Sequence, residues 1–194
     1  MRAFVAVPIA GEEAVTRLRA LLSQLREIRG LKAVPPQQLH FTLKFFDELP
    51  GARVASAKSA AARTAGSSPA VSLSLSGLGV FPPRGPARVL WVGCGAGAEA
   101  LMALASAAEA EFSLEGFERE TRPFSPHLTL ARVKDPRASR AAAELAASGA
   151  AFDGGTLELS EVVLFQSVLG PAGAAHTPLG RWPLGGSRTP SPGR

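Results

Sequence analysis

The sequence predicts an α+β fold built on antiparallel sheets, and three observations point there. Stretches with strand or helix periodicity run strand, helix, strand, helix, strands, helix, strand, helix, strands, so β-α-β alternation breaks mid-chain. Inside that break Val71, Leu73 and Leu75 alternate with serines, and Arg88–Val92 follows across a proline-rich loop, as in an antiparallel pair. The tetrapeptide H-x-T-L occurs twice, at His40–Leu43 and His127–Leu130, each on a strand-like stretch between helices. That repetition suggests two related halves meeting at a cleft.

Each element has its own signal. Residues 2–9 read as an opening strand. Residues 12–29 are predicted as a helix: Val15, Leu18, Leu22 and Leu25 recur at helical spacing, acidic residues fill the first turn and Gly30 ends it. Residues 31–34 form a short strand before Pro35-Pro36, and the first motif strand spans about 39–46. An alanine-rich helix covers 52–65 and stops at Gly66-Ser67-Ser68-Pro69. A third helix spans 98–113, with Leu101, Leu104, Ala108 and Phe112 on one face, and the second motif strand follows at about 126–133. Asp135-Pro136 reads as the cap and first turn of a fourth helix running to Ser148-Gly149. Strand-like segments occupy 156–169, and a last short strand covers 177–184. Residues 1–184 form one domain, and 185–194 is expected to be a flexible tail without core residues.

Composition narrows the function classes. At 46% hydrophobic the 194-residue chain can bury a core, which excludes general disorder. The net charge of +5 favours an anionic partner. Cys94 is the only cysteine, so neither an internal disulfide nor a cysteine zinc cluster is available, which fits a reducing cytoplasm. The opening apolar run is short and contains Pro8, and no segment has the length of a membrane span. Gly93–Gly97 lacks the third glycine of a dinucleotide-binding loop.

The chemistry concentrates in the two motifs, which hold two of the chain's three histidines. Strand alternation puts His40 with Thr42, and His127 with Thr129, on one face, while Phe41, Leu43, Leu128 and Leu130 turn to the core. Two imidazoles in one cleft can divide general acid and general base work near neutral pH, as phosphodiester cleavage requires. The threonine hydroxyls can bind the non-bridging oxygens. Lys44 shares the parity of His40 and Thr42 and is a candidate cation for the same anion. Arg132 has the wrong parity and reaches the site only if its strand ends or bulges. Two histidines without a carboxylate inside either motif are too few for a closed metal site, so no metal or other cofactor is expected. His176 lacks the spacing of the other two and is expected at the cleft rim or on the surface.

With these flanks, the paired motifs resemble the 2H phosphoesterase superfamily, and within it the RNA 2′,3′-cyclic phosphodiesterases, LigT-like proteins also called 2′-5′ RNA ligases. The likeness runs to about Leu184 through M-R-A-F-V-A-V-P, V-P-P-Q-Q-L-H-F-T-L-K-F, R-P-F-S-P-H-L-T-L-A-R and E-V-V-L-F-Q-S-V-L-G-P. It implies a bilobal fold with two antiparallel sheets and pseudo-symmetric halves around a central cleft, and no metal requirement. It further implies His40 as proton donor, His127 as acceptor, and Thr42, Thr129 and Arg132 on the phosphate. The implied reaction opens an RNA 2′,3′-cyclic phosphate to a 2′-phosphate, with reversible 2′-5′ joining of tRNA halves as a second activity. The expected partner is RNA with such ends, including tRNA fragments, acted on by a cytoplasmic monomer with no obligate protein partner. Two departures bear on base recognition. Ala33 stands where the family commonly has Trp, and His176 where it often has Tyr; the chain has no tyrosine. Base stacking then falls to Phe46, another phenylalanine, Trp182 or His176. Two other readings stay open: a non-catalytic binder of RNA ends or nucleotides, and a phosphodiesterase for 2′-5′ oligonucleotides or a non-RNA cyclic phosphate.

Overall fold

A computed structural model of the chain describes residues 1–9, 12–170 and 173–185. The tail expected at 185–194 lies, apart from Gly185, outside the described residues. In chain order the elements are β1 (Ala3–Pro8), α1 (Glu12–Arg26), β2 (Leu31–Ala33), β3 (His40–Phe46), α2 (Val54–Ser67), β4 (Val71–Phe81), β5 (Val89–Cys94), α3 (Ala98–Leu114), β6 (Leu128–Val133), α4 (Ser139–Ser148), β7 (Asp153–Leu159), β8 (Glu161–Gly170) and β9 (Gly173–Pro183). Single 3-10 turns precede β3, α2 and α4. At the last of these the Asp135 side chain accepts from the Arg137 backbone N–H, so the expected cap forms on a 3-10 turn rather than on the helix itself.

The strands make two antiparallel sheets, ordered β3-β1-β8-β9 and β2-β6-β5-β4-β7. The chain crosses between them. β2, from the first half, pairs with β6, and the last two strands return to β1. The two motif strands therefore lie in different sheets, and β3 touches β6 where the sheets meet.

Helices cover the outer faces. α2 packs on β8 and β9 and α3 on β3 and β4, while α1 packs on β7 and β2 and α4 on β4 and β5. The residues explain the packing. Leu18, Leu22 and Leu25 of α1 are fully buried, and burying each is worth about 2 kcal/mol. On α2 the buried stripe is Ala57, Ala60, Ala61, Thr64 and Ala65, small enough to bring α2 against α3. The Thr64 hydroxyl inside that contact donates to the Ala60 carbonyl at 2.8 Å. Gly97 starts α3 at φ 85°, where a Cβ would stand 2.1 Å from the Ser72 carbonyl oxygen, so β4 approaches this turn only because the residue is glycine.

Where β3 and β6 meet, their motif side chains come close enough for His127 and Arg132 to act on His40. Among the described residues no helix is long and apolar enough to cross a membrane.

Candidate active site

Two β-bulges decide which side chains reach the cleft. β3 pairs with β1 as Pro8↔His40, Val7↔Phe41 and Ala6↔Thr42, then passes to Val5↔Lys44, so Leu43 is an extra residue. β6 repeats this on β5: Val92↔Leu128 and Trp91↔Thr129, then Leu90↔Ala131, with Leu130 extra. Beyond each bulge the alternation of faces is reversed.

The reversal brings Arg132 in and takes two expected residues out. Arg132 pairs with Val89 and joins Thr129 on the cleft face, meeting the condition its parity set. Lys44 does not join His40 and Thr42. It turns to the helix side, where its Nζ donates to Glu109 Oε1 and to the Glu118 carbonyl, both at 2.8 Å, and it is 8% exposed. Phe46 is likewise no substrate platform. It is buried against Phe112 and Phe117, with ring centroids 5.4 and 5.2 Å away. Strict alternation fails for both because one residue at Leu43 shifts every later side chain to the other face.

The two histidines are held in the same way. His40 Nδ1 lies 2.6 Å from the Gln38 carbonyl oxygen, and His127 Nδ1 lies 2.7 Å from that of Ser125. A carbonyl only accepts, so each Nδ1 carries the proton and donates it. The neutral tautomer then has its lone pair on Nε2, the nitrogen left for substrate. Both anchors come from the residue two positions upstream, in the proline-containing approach to each strand. Thr42 and Thr129 are half-buried beside them on the same faces.

Aromatic rings fix the imidazoles further. Phe4 of β1 stacks on His40 at 4.8 Å and on Phe165 of β8 at 5.1 Å. On the other sheet Phe81 meets His127 edge-on at 4.9 Å, and Trp91 does so at 6.3 Å. The Trp91 ring lies across β4 at Gly79, where a Cβ would come within 2.2 Å of it. Reading along the chain does not reveal these rings, because strand pairing, not chain proximity, brings them to the histidines. Alternation within residues 2–9 and 88–92, combined with the pairing order, identifies Phe4 and Trp91.

His176 takes the cleft side of the expectation. It stands edge-on to His40 at 5.7 Å and to Phe4 at 4.9 Å, inside the site rather than on the surface. Among the described residues its buried Nδ1 has no hydrogen-bond partner, and neither has the buried Nε1 of Trp91. The distal part of the β8–β9 ladder carries His176 there, next to the segment before β3, where Gln38 Nε2 donates to the Ala174 carbonyl at 3.4 Å.

The electrostatics are one-sided. Burial pushes the His40 imidazole down to about 4; its bond to Gln38 works in the other direction, and the charges of His176, Arg132 and His127 add to the lowering. Burial, then the Arg132 charge, also lowers His176. No carboxylate appears among the groups acting on either ring. Nor do the described residues contain a group of three or more His, Cys, Asp or Glu that could hold a metal ion. His127 and Arg132 thus act electrostatically on His40 from the other sheet, in surroundings that disfavour added positive charge, with Thr42 and Thr129 on the same strand faces as the two imidazoles.

Known proteins share the sequence pattern and the fold of this chain. The pattern of the 2′-5′ RNA ligase superfamily matches residues 7–169. The chain is 34% identical over 179 residues to the RNA 2′,3′-cyclic phosphodiesterase of Methanothermobacter thermautotrophicus, covering 91% of this chain and 95% of that protein. It is 31% identical to the protein of the same name from Archaeoglobus fulgidus, covering 92% and 98%. Among solved structures, a Thermus thermophilus protein superposes with a TM-score of 0.77 at 30% identity, covering 95% of this chain and 98% of that one. E. coli LigT superposes at 0.70 and 23% identity, covering 94% and 96%, a likeness of fold.

Proposed function

Since this chain belongs to the 2′-5′ RNA ligase superfamily, we propose that it is a phosphodiesterase that opens RNA 2′,3′-cyclic phosphate ends to 2′-phosphates. The observation that carries this reading is the matched pair of imidazoles, each with Nδ1 tied to the carbonyl two residues upstream and Nε2 left for substrate. Binding alone has no need of two proton-transfer groups prepared alike. The names of the relatives support the substrate class.

In this mechanism the cyclic phosphate sits between the histidines, with Thr42, Thr129 and Arg132 on its non-bridging oxygens. Neutral His127 takes a proton from water as the oxygen attacks phosphorus in line with O3′. Protonated His40 gives its proton to O3′, the P–O3′ bond breaks and phosphorus stays on O2′. In the free site His40 is neutral at neutral pH, chiefly because burial holds it down, with the Arg132 charge among the smaller contributions. The phosphodiester's negative charge favours the protonated imidazole, so bound substrate raises the His40 midpoint toward the charged form the acid role needs. If a 5′-hydroxyl of another RNA attacks instead of water, the same steps leave a 2′-5′ linkage. Arg132 is the group best placed to stabilise charge on the phosphate, since Lys44 is committed to Glu109.

Kinetics of variants test the assignment. His40→Ala and His127→Ala should each lower turnover of a 2′,3′-cyclic nucleotide by about two to four orders of magnitude, the worth of a positioned acid or base. Thr42→Val and Thr129→Val should cost about one to three orders, as for a lost oxyanion donor. Near-normal turnover in a folded variant of either histidine would remove that residue from the mechanism.

A further inference from the structure

The positive charge of this chain collects at one end of the second sheet. Lys32 of β2 stands directly across from Arg132 of β6. One residue further along β6 the Val133 backbone N–H donates to the Arg88 carbonyl at 2.9 Å, and the next, that of Lys134, donates to the Gly30 carbonyl at 2.8 Å. These bonds bring Arg88 and the turn containing Arg29 up to the end of β6, and Arg137 follows in the next 3-10 turn. All six of these cationic residues are exposed. The carboxylate among them is Asp135, whose Oδ1 accepts from the Arg137 backbone N–H at 2.9 Å. Set aside, these seven residues leave 15 of the chain's 21 Lys and Arg against 15 of its 16 Asp and Glu, so this rim carries the whole net charge of +5.

Folding does not call for such a cluster. Like charges directly opposite across two strands are destabilising, as at Lys32 and Arg132, and a one-signed field adds self-repulsion. Among the described residues Arg29, Arg88, Arg132, Lys134 and Arg137 make no ion pair that would relieve it. An anion laid over the rim does relieve it. Strand spacing sets Lys32, Arg88 and Lys134 each within about 7 Å of Arg132, backbone to backbone. Cations repeated at that interval suit the repeated phosphates of a nucleic-acid strand, whereas a single reacting phosphate is served by Arg132 alone.

We propose that this rim is the track for the RNA strand leading to the reacting end, with Arg88, Lys134 and their neighbours on its backbone phosphates while the terminal cyclic phosphate lies at Arg132. Contacts to the backbone carry no sequence information, so the track selects RNA of several nucleotides over a free cyclic mononucleotide without choosing among sequences. This inference rests on reading the cleft as an RNA cyclic phosphodiesterase site.

The test compares kcat/KM on adenosine 2′,3′-cyclic phosphate with kcat/KM on an unstructured RNA dodecamer ending in the same cyclic nucleotide. In the double variant Arg88→Gln, Lys134→Gln the dodecamer-to-mononucleotide ratio should fall about five- to thirty-fold at low salt, and the dependence of log kcat/KM for the dodecamer on log salt should flatten by about 0.7 per cation removed. A second double variant, Arg19→Gln, Lys58→Gln, removes the same charge from exposed positions on α1 and α2, and its ratio should stay within about two-fold of wild type. An equal fall in both double variants would overturn the track, because net charge alone would then explain it. A ratio in the rim variant equal to that of wild type would also overturn it and leave the cations to an anionic partner other than the substrate. Turnover of neither substrate by wild-type protein would overturn the phosphodiesterase reading, and the track with it.

Discussion

Leu43 and Leu130 occupy the same position in two different sheets: each is the extra residue of a β-bulge that directly follows the threonine of an H-x-T-L motif. Both leucines are buried, at 6% and 0% exposure, so the core holds each bulge in place. The residue that each bulge delivers to the cleft differs, an aromatic at Phe45 and a cation at Arg132. That difference breaks the near-symmetry of the two motif strands and leaves the cation on the second.

Arg132→Ala should therefore raise KM for a cyclic phosphate and lower kcat together, with a combined loss in kcat/KM of about one to three orders of magnitude, as for a lost transition-state donor. Its charge also helps to hold down His40 and His176. Removing it should raise the His40 midpoint in the free protein, read from imidazole NMR resonances. A kinetic loss without that upward shift would place Arg132 away from the histidines.

The depressed His40 has a signed consequence for stability. Its midpoint lies at about 4 in the folded protein against 6.5 for the ordinary imidazole, so the unfolded chain takes up the proton first on acidification. The stability that His40 contributes is fully present above about pH 6.5 and is lost as the pH falls through that interval toward 4, by roughly 3 kcal/mol in all. His176 is shifted in the same direction and adds to the slope. Urea unfolding of wild type and His40→Asn at a series of pH values should show their difference narrowing or reversing across this window. Parallel curves would mean that His40 is not desolvated.

Lys44 and Glu109 are expected to matter for stability rather than for chemistry. Their side chains are 6% and 24% exposed and meet at 2.8 Å. Glu109→Ala leaves a buried ammonium with only the Glu118 carbonyl and should cost about 2–4 kcal/mol in denaturant unfolding. Lys44→Met should cost less, because an apolar chain of similar length fills the same space. In both folded variants kcat on a cyclic phosphate should stay within a few-fold of wild type. A loss of two orders in kcat for Lys44→Met would return that residue to the site.

Much of this is legible in the sequence, for reasons that particular residues make plain. The His/Thr pairs are readable because side chains alternate regularly up to the bulge, so His40 and Thr42 share a face whatever β3 pairs with. The helices are readable from their leucine and alanine spacing, as at Leu18, Leu22 and Leu25. Past Leu43 and Leu130 the parity rule fails, because a bulge is a property of two paired strands and the register is not written in either one alone. Strict parity misplaces Lys44 and Phe46 for that one reason, and overlooks Phe45 for the same one. The contact of His176 with His40 is not legible because His176 arrives from β9, at the far edge of the first sheet, and only the course of that ladder brings the two together. The crossing of β2 and β8–β9 between the halves is equally hidden, since pairing partners distant in sequence leave no local signal.

The most direct test of the acid–base assignment is the identity of the product. Phosphorus NMR of adenosine 2′,3′-cyclic phosphate turned over by wild-type protein should show the 2′-phosphate alone, because O3′ departs beside protonated His40 while water enters from the side of His127. The same spectra taken with His40→Ala and His127→Ala should show little product of either kind. A 3′-phosphate, or a mixture of the two, would contradict the orientation, and unaltered cyclic phosphate after prolonged incubation with wild type would contradict the activity itself.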